Sequence, residues 1–242
     1  MILEAITANI VWMALIVLGG VLISWSVHFV PVGGAPAAMA QATGIGTGTV
    51  QLAAGAGLTG LISAGYMMDV MDDLPLILAS GTIGAMIMIS VTMIVGTWVY
   101  VYGVGCVPAS AKVKVDPLTH DRQDLYVSQG TEGHGLPTVC FVSGVIGGGL
   151  GGFGGSLIYY ALMKVGLAVT TASSDLVGLV AIFAVGIFFV NAVIPSYNIG
   201  GTIEGFHDPK WKKWPKAVAS SFVATIFCAL VAVIAISQLG VI

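Results

Sequence analysis

The sequence predicts an all-α protein, a polytopic membrane bundle of about six transmembrane helices, and three observations carry that expectation. Of its 242 residues 57% are hydrophobic and only 8% charged, far from the balance of soluble domains. The apolar residues gather into six runs near the roughly 20 residues that cross a bilayer. Between Phe29 and Met68 there is no Asp, Glu, Lys or Arg at all. The whole chain, 1–242, reads as a single integral membrane domain.

The first run, about Ala5 to Val27, follows the start MILEAITANI, which holds no Lys or Arg. It lacks the positive segment of a secretory signal and is expected to stay as a span. The second, about Ala35 to Ile62, is mostly Ala, Gly and Thr. A lipid-facing helix favours Leu, Ile and Phe, whereas small residues let backbones approach, so this helix should be enclosed by others. The third runs from about Pro75 to Tyr102, with Asp73 as N-cap and Pro75 in the first turn.

In the fourth run, about Val139 to Met163, SGVIGGGLGGFGGS sets Gly144, Gly147, Gly148, Gly151, Gly152 and Gly155 at three- and four-residue spacing. That spacing predicts one smooth helix face for close packing. A partly unwound helix whose carbonyls line a path is the alternative. The fifth, about Asp175 to Ile194, begins with Ser173, Ser174 and Asp175 as capping residues, Asp175 being also a candidate for a cation exit. The sixth covers about Ala217 to Ile242. Turns at Pro31, Pro108 and Pro195 are each expected to break an apolar run.

Two polar connections, about 107–137 and 195–216, hold Lys112, Lys114, Arg122, Lys210, Lys212, Lys213 and Lys216, leaving only Lys164 elsewhere. With six spans they share one side, which the positive-inside rule makes cytoplasmic. Both termini, the acidic turn at Asp69, Asp72 and Asp73, and the turn from Lys164 to Asp175 are then extracellular. Trp25, Trp98, Tyr100, Tyr102, Trp211 and Trp214 fall at the inner interface, and Lys210 to Lys216 with their tryptophans read as an anchor to membrane lipids. The expected location is the cell membrane. The two halves have opposite orientation, but the glycine-rich second and fourth spans do not correspond, so an inverted repeat has only weak support.

A formal charge of −3 argues against nucleic acid as a partner. Cys106, Cys140 and Cys228 show neither disulfide nor zinc spacing and read as small apolar residues. DPLTHDRQD, from Asp116 to Asp124, matches no acid–base motif and reads as a solvated docking surface. No catalytic, cofactor-binding or metal-ligating residue is assigned. Thr47 and Thr49 with Gln51, in the second run, offer neutral oxygens to a small hard cation, although hydroxyls also bond neighbouring backbone. His28 and Asn191, beside proline-interrupted, glycine-rich turns, are candidates to border a cytoplasmic vestibule.

Two blocks, VHFVPVGGAPAAMAQATGIGTGTVQLAAGAGLTGL (27–61) and PSYNIGGTIEGFHDPK (195–210), resemble the D subunit of tetrahydromethanopterin S-methyltransferase from methanogenic archaea. The resemblance implies a multisubunit complex that moves a methyl group from methyl-tetrahydromethanopterin through a corrinoid (cobalamin) subunit to coenzyme M. It also implies outward sodium transport, sister membrane subunits C and E, and a corrinoid held by a partner rather than by this chain. It supplies no catalytic residue. Read from its residues alone, the chain has a rival description as a stand-alone secondary transporter for a small solute, weakened by the lack of an acidic or basic residue near the middle of any span.

Overall fold

The computed structural model describes residues 2–31, 47–129, 133–171 and 174–238. Seven α-helices lie among them: α1 Ile2–Ala8, α2 Ile10–Ser26, α3 Thr47–Val70, α4 Leu74–Trp98, α5 Thr138–Leu167, α6 Ser174–Ile199 and α7 Trp214–Ser237. A π-helical turn, Val99–Val104, prolongs α4, and a 3-10 turn, Pro209–Lys213, leads into α7. One antiparallel ladder of two residues per strand pairs β1, Ala109–Ser110, with β2, Gly133–His134. The all-α bundle expected from the apolar runs is the observed architecture.

Each expected span has a helix. The helical segments Leu74–Val104, Thr138–Leu167, Ser174–Ile199 and Pro209–Ser237 are long and apolar enough to cross a membrane, and Ile10–Ser26 is a shorter apolar helix. The 24 residues of α3 reach about 36 Å at 1.5 Å per residue. Large apolar side chains face outward, including Ile83, Ile87, Trp98, Ile182, Phe222, Phe227 and Val231. A water-soluble surface of this size avoids such patches.

Several boundaries depart from the sequence reading. Asn9 interrupts the first run between α1 and α2, its side-chain amide donating to Ala5 O at 2.9 Å. Helix α3 continues past Ile62 to Val70 and so includes Asp69; residues 32–46, with Pro36 and Thr43, lie outside the described residues. Pro195 does not break the fifth run but sits inside α6. A proline withholds one N–H, here the donor to Asn191 O, and membrane helices tolerate that loss where the surrounding bundle supports the helix. The helix ends instead where Gly200 and Gly201 take φ of 64° and 113°, a left-handed exit suited to glycine. At α4 the expected cap is present, Leu76 N donating to Asp73 Oδ1 at 3.2 Å with Pro75 in the first turn.

Helix α5 is the central helix. In its most apolar 18-residue stretch 67% of residues are buried, against 28 to 33% in the three other long spans. Its glycines surpass the single face read from the sequence, because Gly149 and Gly154 are buried along with the six expected. Packing occupies two sides. A Cβ on Gly154 would lie 2.5 Å from Gly19 O of α2, and one on Gly152 would lie 2.4 Å from Ala85 Cβ and 2.7 Å from Gly81 O of α4. The helix is continuous from Thr138 to Leu167, so these glycines serve backbone contact rather than unwinding.

Gly152→Ala is expected to destabilise the protein by about 1–3 kcal/mol through overpacking against the α4 backbone. At Gly149 the new methyl would meet the flexible end of Met86 at 3.2 Å, so Gly149→Ala is expected to be close to neutral. Thermal unfolding of the two variants in the purified protein checks the contrast.

Candidate functional site

At one end of the bundle the two polar connections fold onto each other and onto the start of α5. Asp116 begins the arrangement, its Oδ1 accepting from Leu118 N at 2.8 Å and Thr119 N at 3.2 Å while Oδ2 accepts from Val139 N at 3.2 Å. A carboxylate at a helix N-terminus satisfies amides that have no partner within the helix. Gln123, also buried, accepts from Ser110 N at 3.0 Å. The DPLTHDRQD segment is therefore only partly the solvated surface expected, since the exposed Arg122–Asp124 pair at 2.8 Å flanks buried anchors.

The second connection is shaped by its own carboxylates. Glu204 N donates to Asp208 Oδ2 at 3.1 Å, Lys210 N donates to Asp208 Oδ1 at 2.8 Å, and Lys210 Nζ donates to Thr202 O at 2.6 Å. Gly205, with φ of 124°, passes so close to α5 that a Cβ would lie 2.4 Å from Ser143 Oγ. That hydroxyl donates to Phe29 O at 2.7 Å and accepts from Phe206 N at 3.0 Å. One serine thus joins the turn after α2, the central helix and the second connection.

Where the layers meet, Ser110, Cys140, Glu204 and His207 converge. Ser110 Oγ donates to Glu204 Oε2, and Ala111 N donates to Glu204 Oε1 at 3.3 Å. His207 Nε2 lies 3.4 Å from Glu204 Oε2, 3.4 Å from Ser110 Oγ and 3.9 Å from Cys140 Sγ. The side chains of Glu204 and His207 are each 5% exposed. Sequence spacing hid this group, because Cys140 stands 64 residues before Glu204; the only local sign was the Glu204–His207 pair three residues apart. Reading Cys140 as a small apolar residue missed its polar neighbours. All three cysteines are free.

Deeper in the bundle, a second polar group lies between α2, α6 and α7. Asn191 is fully buried; its Nδ2 donates to Ile187 O at 2.9 Å and its Oδ1 accepts from Thr225 Oγ1 at 2.8 Å. Both side chains press on Gly20, where a Cβ would lie 2.5 Å from Thr225 Oγ1 and 2.7 Å from Asn191 Nδ2. One turn nearer the loops, Ser24 Oγ and Ser221 Oγ are buried without hydrogen-bond partners. His28 follows on α2's exit, fully buried, with Nδ1 3.1 Å from Ser24 O and Nε2 unpartnered. Burial pushes the His28 imidazole below its usual range, so the ring is neutral near pH 7.

The structure therefore places Asn191 beside Gly20 of α2 and His28 eight residues further along the chain, with no hydrogen bond between them among the described residues. Thr225, Ser24 and Ser221, which the sequence reading passed over, fill the interval. Thr47, Thr49 and Gln51 fall in the first turns of α3; their side chains lie outside the described residues. Asp175 sits in the first turn of α6, while Ser173 is outside the described set. The tryptophans expected at the interface pack within the protein: Trp25 packs on Phe29, Trp214 packs on Trp25, and Trp211 packs on Phe29, with ring centroids 5.4–5.8 Å apart. Lys213 Nζ donates to Asn198 O and Ile199 O at 3.4 Å, a cation at the carbonyl end of α6. At the opposite end of the molecule Lys164 Nζ pairs with Asp72 at 2.6 Å.

An all-helical bundle with apolar outer faces, polar side chains turned inward and one ordered loop layer defines a polytopic integral membrane protein. A family model for the D subunit of tetrahydromethanopterin S-methyltransferase matches residues 9–225. The chain is 79% identical to the D subunit of that enzyme from Methanosarcina acetivorans, over 98% of this chain and 99% of that protein. Identity is 62% to the Methanothermobacter thermautotrophicus D subunit, covering 86% and 88%, and 56% to the Methanopyrus kandleri D subunit, covering 91% and 94%. The chain belongs to the family of tetrahydromethanopterin S-methyltransferase D subunits and so to a multisubunit methyltransferase.

Two measurements probe the seam. In a double-mutant cycle, Asn191→Ala and Thr225→Ala are expected to couple by about 0.6–1.7 kcal/mol, the range of hydrogen bonds between membrane helices. For His28, the unfolded chain takes up a proton near pH 6.5 while the folded chain resists it. Stability is complete above about pH 6.5 and falls as pH drops toward the lowered folded value; His28→Gln is expected to flatten that decline in melting temperature.

Proposed function

We propose that this chain is a noncatalytic integral subunit, in the cell membrane, of a sodium-translocating methyltransferase that carries a methyl group from methyl-tetrahydromethanopterin through a corrinoid subunit to coenzyme M. The observation that supports a transport role is the polar seam. Ser24 Oγ, Ser221 Oγ and His28 Nε2 are buried and unpartnered in a helical bundle, where an unsatisfied polar atom costs free energy unless water or an ion serves it. Such groups read as the lining of a hydrated route from the loop layer toward the level of Asn191.

The seam is neutral, which suits passage rather than tight capture. A sodium ion needs several hard oxygens, and Thr47, Thr49 and Gln51 are proposed to add them from α3, with sister subunits C and E completing the shell. The chain itself carries no corrinoid in this reading. The loop layer around Ser143, joined to the turn after α2, faces the corrinoid subunit. Coupling then follows if methylated and demethylated partner states bind the inward- and outward-open forms with different affinity.

The description as a stand-alone solute transporter has a specific counter-observation in the family membership above. Gentle detergent extraction separates the two, since cobalamin co-purifying with this chain supports the methyltransferase and a lone homo-oligomer supports the transporter. In sealed vesicles bearing the whole complex, methyl transfer is expected to drive sodium uptake, and Ser24→Val with Ser221→Val is expected to lower the sodium moved per methyl transferred. Methyl transfer without sodium uptake under every condition overturns the pump assignment.

A further inference from the structure

We infer that Cys140, Glu204 and His207 form a zinc site at the junction of the two polar connections and α5. Their candidate ligand atoms, Cys140 Sγ, His207 Nε2 and a Glu204 carboxylate oxygen, all lie within 4.8 Å of one another. Three separate contacts converge on the single nitrogen His207 Nε2, at 3.4 Å from Glu204 Oε2, 3.4 Å from Ser110 Oγ and 3.9 Å from Cys140 Sγ. One ring nitrogen offers one hydrogen-bond direction, and distances of this length are longer than well-formed bonds. A cation at the centre of the group would serve the thiolate, imidazole and carboxylate together.

The donor set selects the metal. A thiolate with an imidazole and one carboxylate matches zinc, whereas magnesium and calcium take oxygen shells. The surroundings hold the carboxylate ready: Ser110 Oγ and Ala111 N both donate to Glu204, the outer-shell support that metal ligands require. Among the described residues the ion pair to Glu204 comes from His207, with no lysine or arginine paired to it, so a bound dication also neutralises a buried carboxylate and thiolate. Three protein ligands leave a fourth position for water or another exchangeable donor. The ligands join two segments remote in sequence, α5 and the second connection, with Ser110 and Ala111 of the first connection holding Glu204, and the site does not depend on the sodium reading.

The alternative is a metal-free Glu204–His207 ion pair with Cys140 as a bystander, and cobalt substitution separates the two. The purified complex containing this chain is stripped with a chelator, dialysed and titrated with Co2+ alone, alongside complexes carrying Cys140→Ser or His207→Ala. The expected result is a thiolate-to-cobalt absorption band of one equivalent per copy of this chain. The Cys140→Ser complex should lack it, and zinc added to wild type should displace it. Ser110→Ala should weaken cobalt binding about tenfold, as loss of outer-shell support does. A wild-type band unchanged in Cys140→Ser, or no such band in the wild-type complex, overturns the site. If Cys140→Ser fails to assemble, His207→Ala decides, since retention of a full metal equivalent with that ligand gone equally overturns it.

Discussion

Backbone-to-backbone contact along α5 is the constraint on which the rest of the structure depends. Without side chains at Gly152 and Gly154, helices α4 and α2 come near enough for carbonyl oxygens to sit where a methyl would stand. In lipid there is no hydrophobic drive to gather helices, so cohesion comes from close van der Waals contact. Pulling α2 inward sets Gly20 against Asn191 and Thr225, and the depth of that contact decides how much of the seam is enclosed. Phe188 fills the remaining space near Gly155 and Gly57. In the described part of α3, Gly60 approaches α4 so closely that a Cβ would lie 2.9 Å from Gly81 O, while Ile62 is exposed.

The loop layer inherits its register from the same helix. Asp116 caps α5 at Val139, Ser143 fastens the turn after α2, and Cys140 lies between them. Each attachment sits within the first two turns of α5, so the helix that organises the bundle also organises the polar end. A displacement of α5 would be felt at once by both connections. This is a direct mechanical link between the spans and the surface available to partners.

What the sequence discloses and what it conceals follow from the range of the forces involved. Helix existence is a local matter of apolar composition, and the capping of α4 by Asp73 is local too; both are legible from neighbouring residues. Pro195 misleads because its penalty is set in water, while a helix held by lipid and neighbours tolerates the missing amide. The glycine spacing announces packing but not that two helices share it, because Gly149 and Gly154 turn the smooth surface around the helix. Cys140 with Glu204 and His207, and Asn191 with Thr225, are invisible in spacing because they meet only when distant helices and loops close. His28 and Asn191 are visible as odd residues near turns, while the serines between them look ordinary until burial removes their water.

The pairing of Lys164 with Asp72 carries an electrical consequence. Among the described residues, that lysine is the only Lys or Arg at its end of the molecule, against Glu4, Asp69, Asp72, Asp73 and Asp175, whereas the loop end holds the other seven against five acids. With that cation engaged, the acidic end keeps an uncompensated negative charge and the chain carries a permanent dipole from one end of the bundle to the other. A transmembrane voltage acts on such charge with about 2.3 kcal/mol per elementary charge per 100 mV. A voltage across a membrane that this chain spans therefore favours the orientation that sets the basic loops on its negative side.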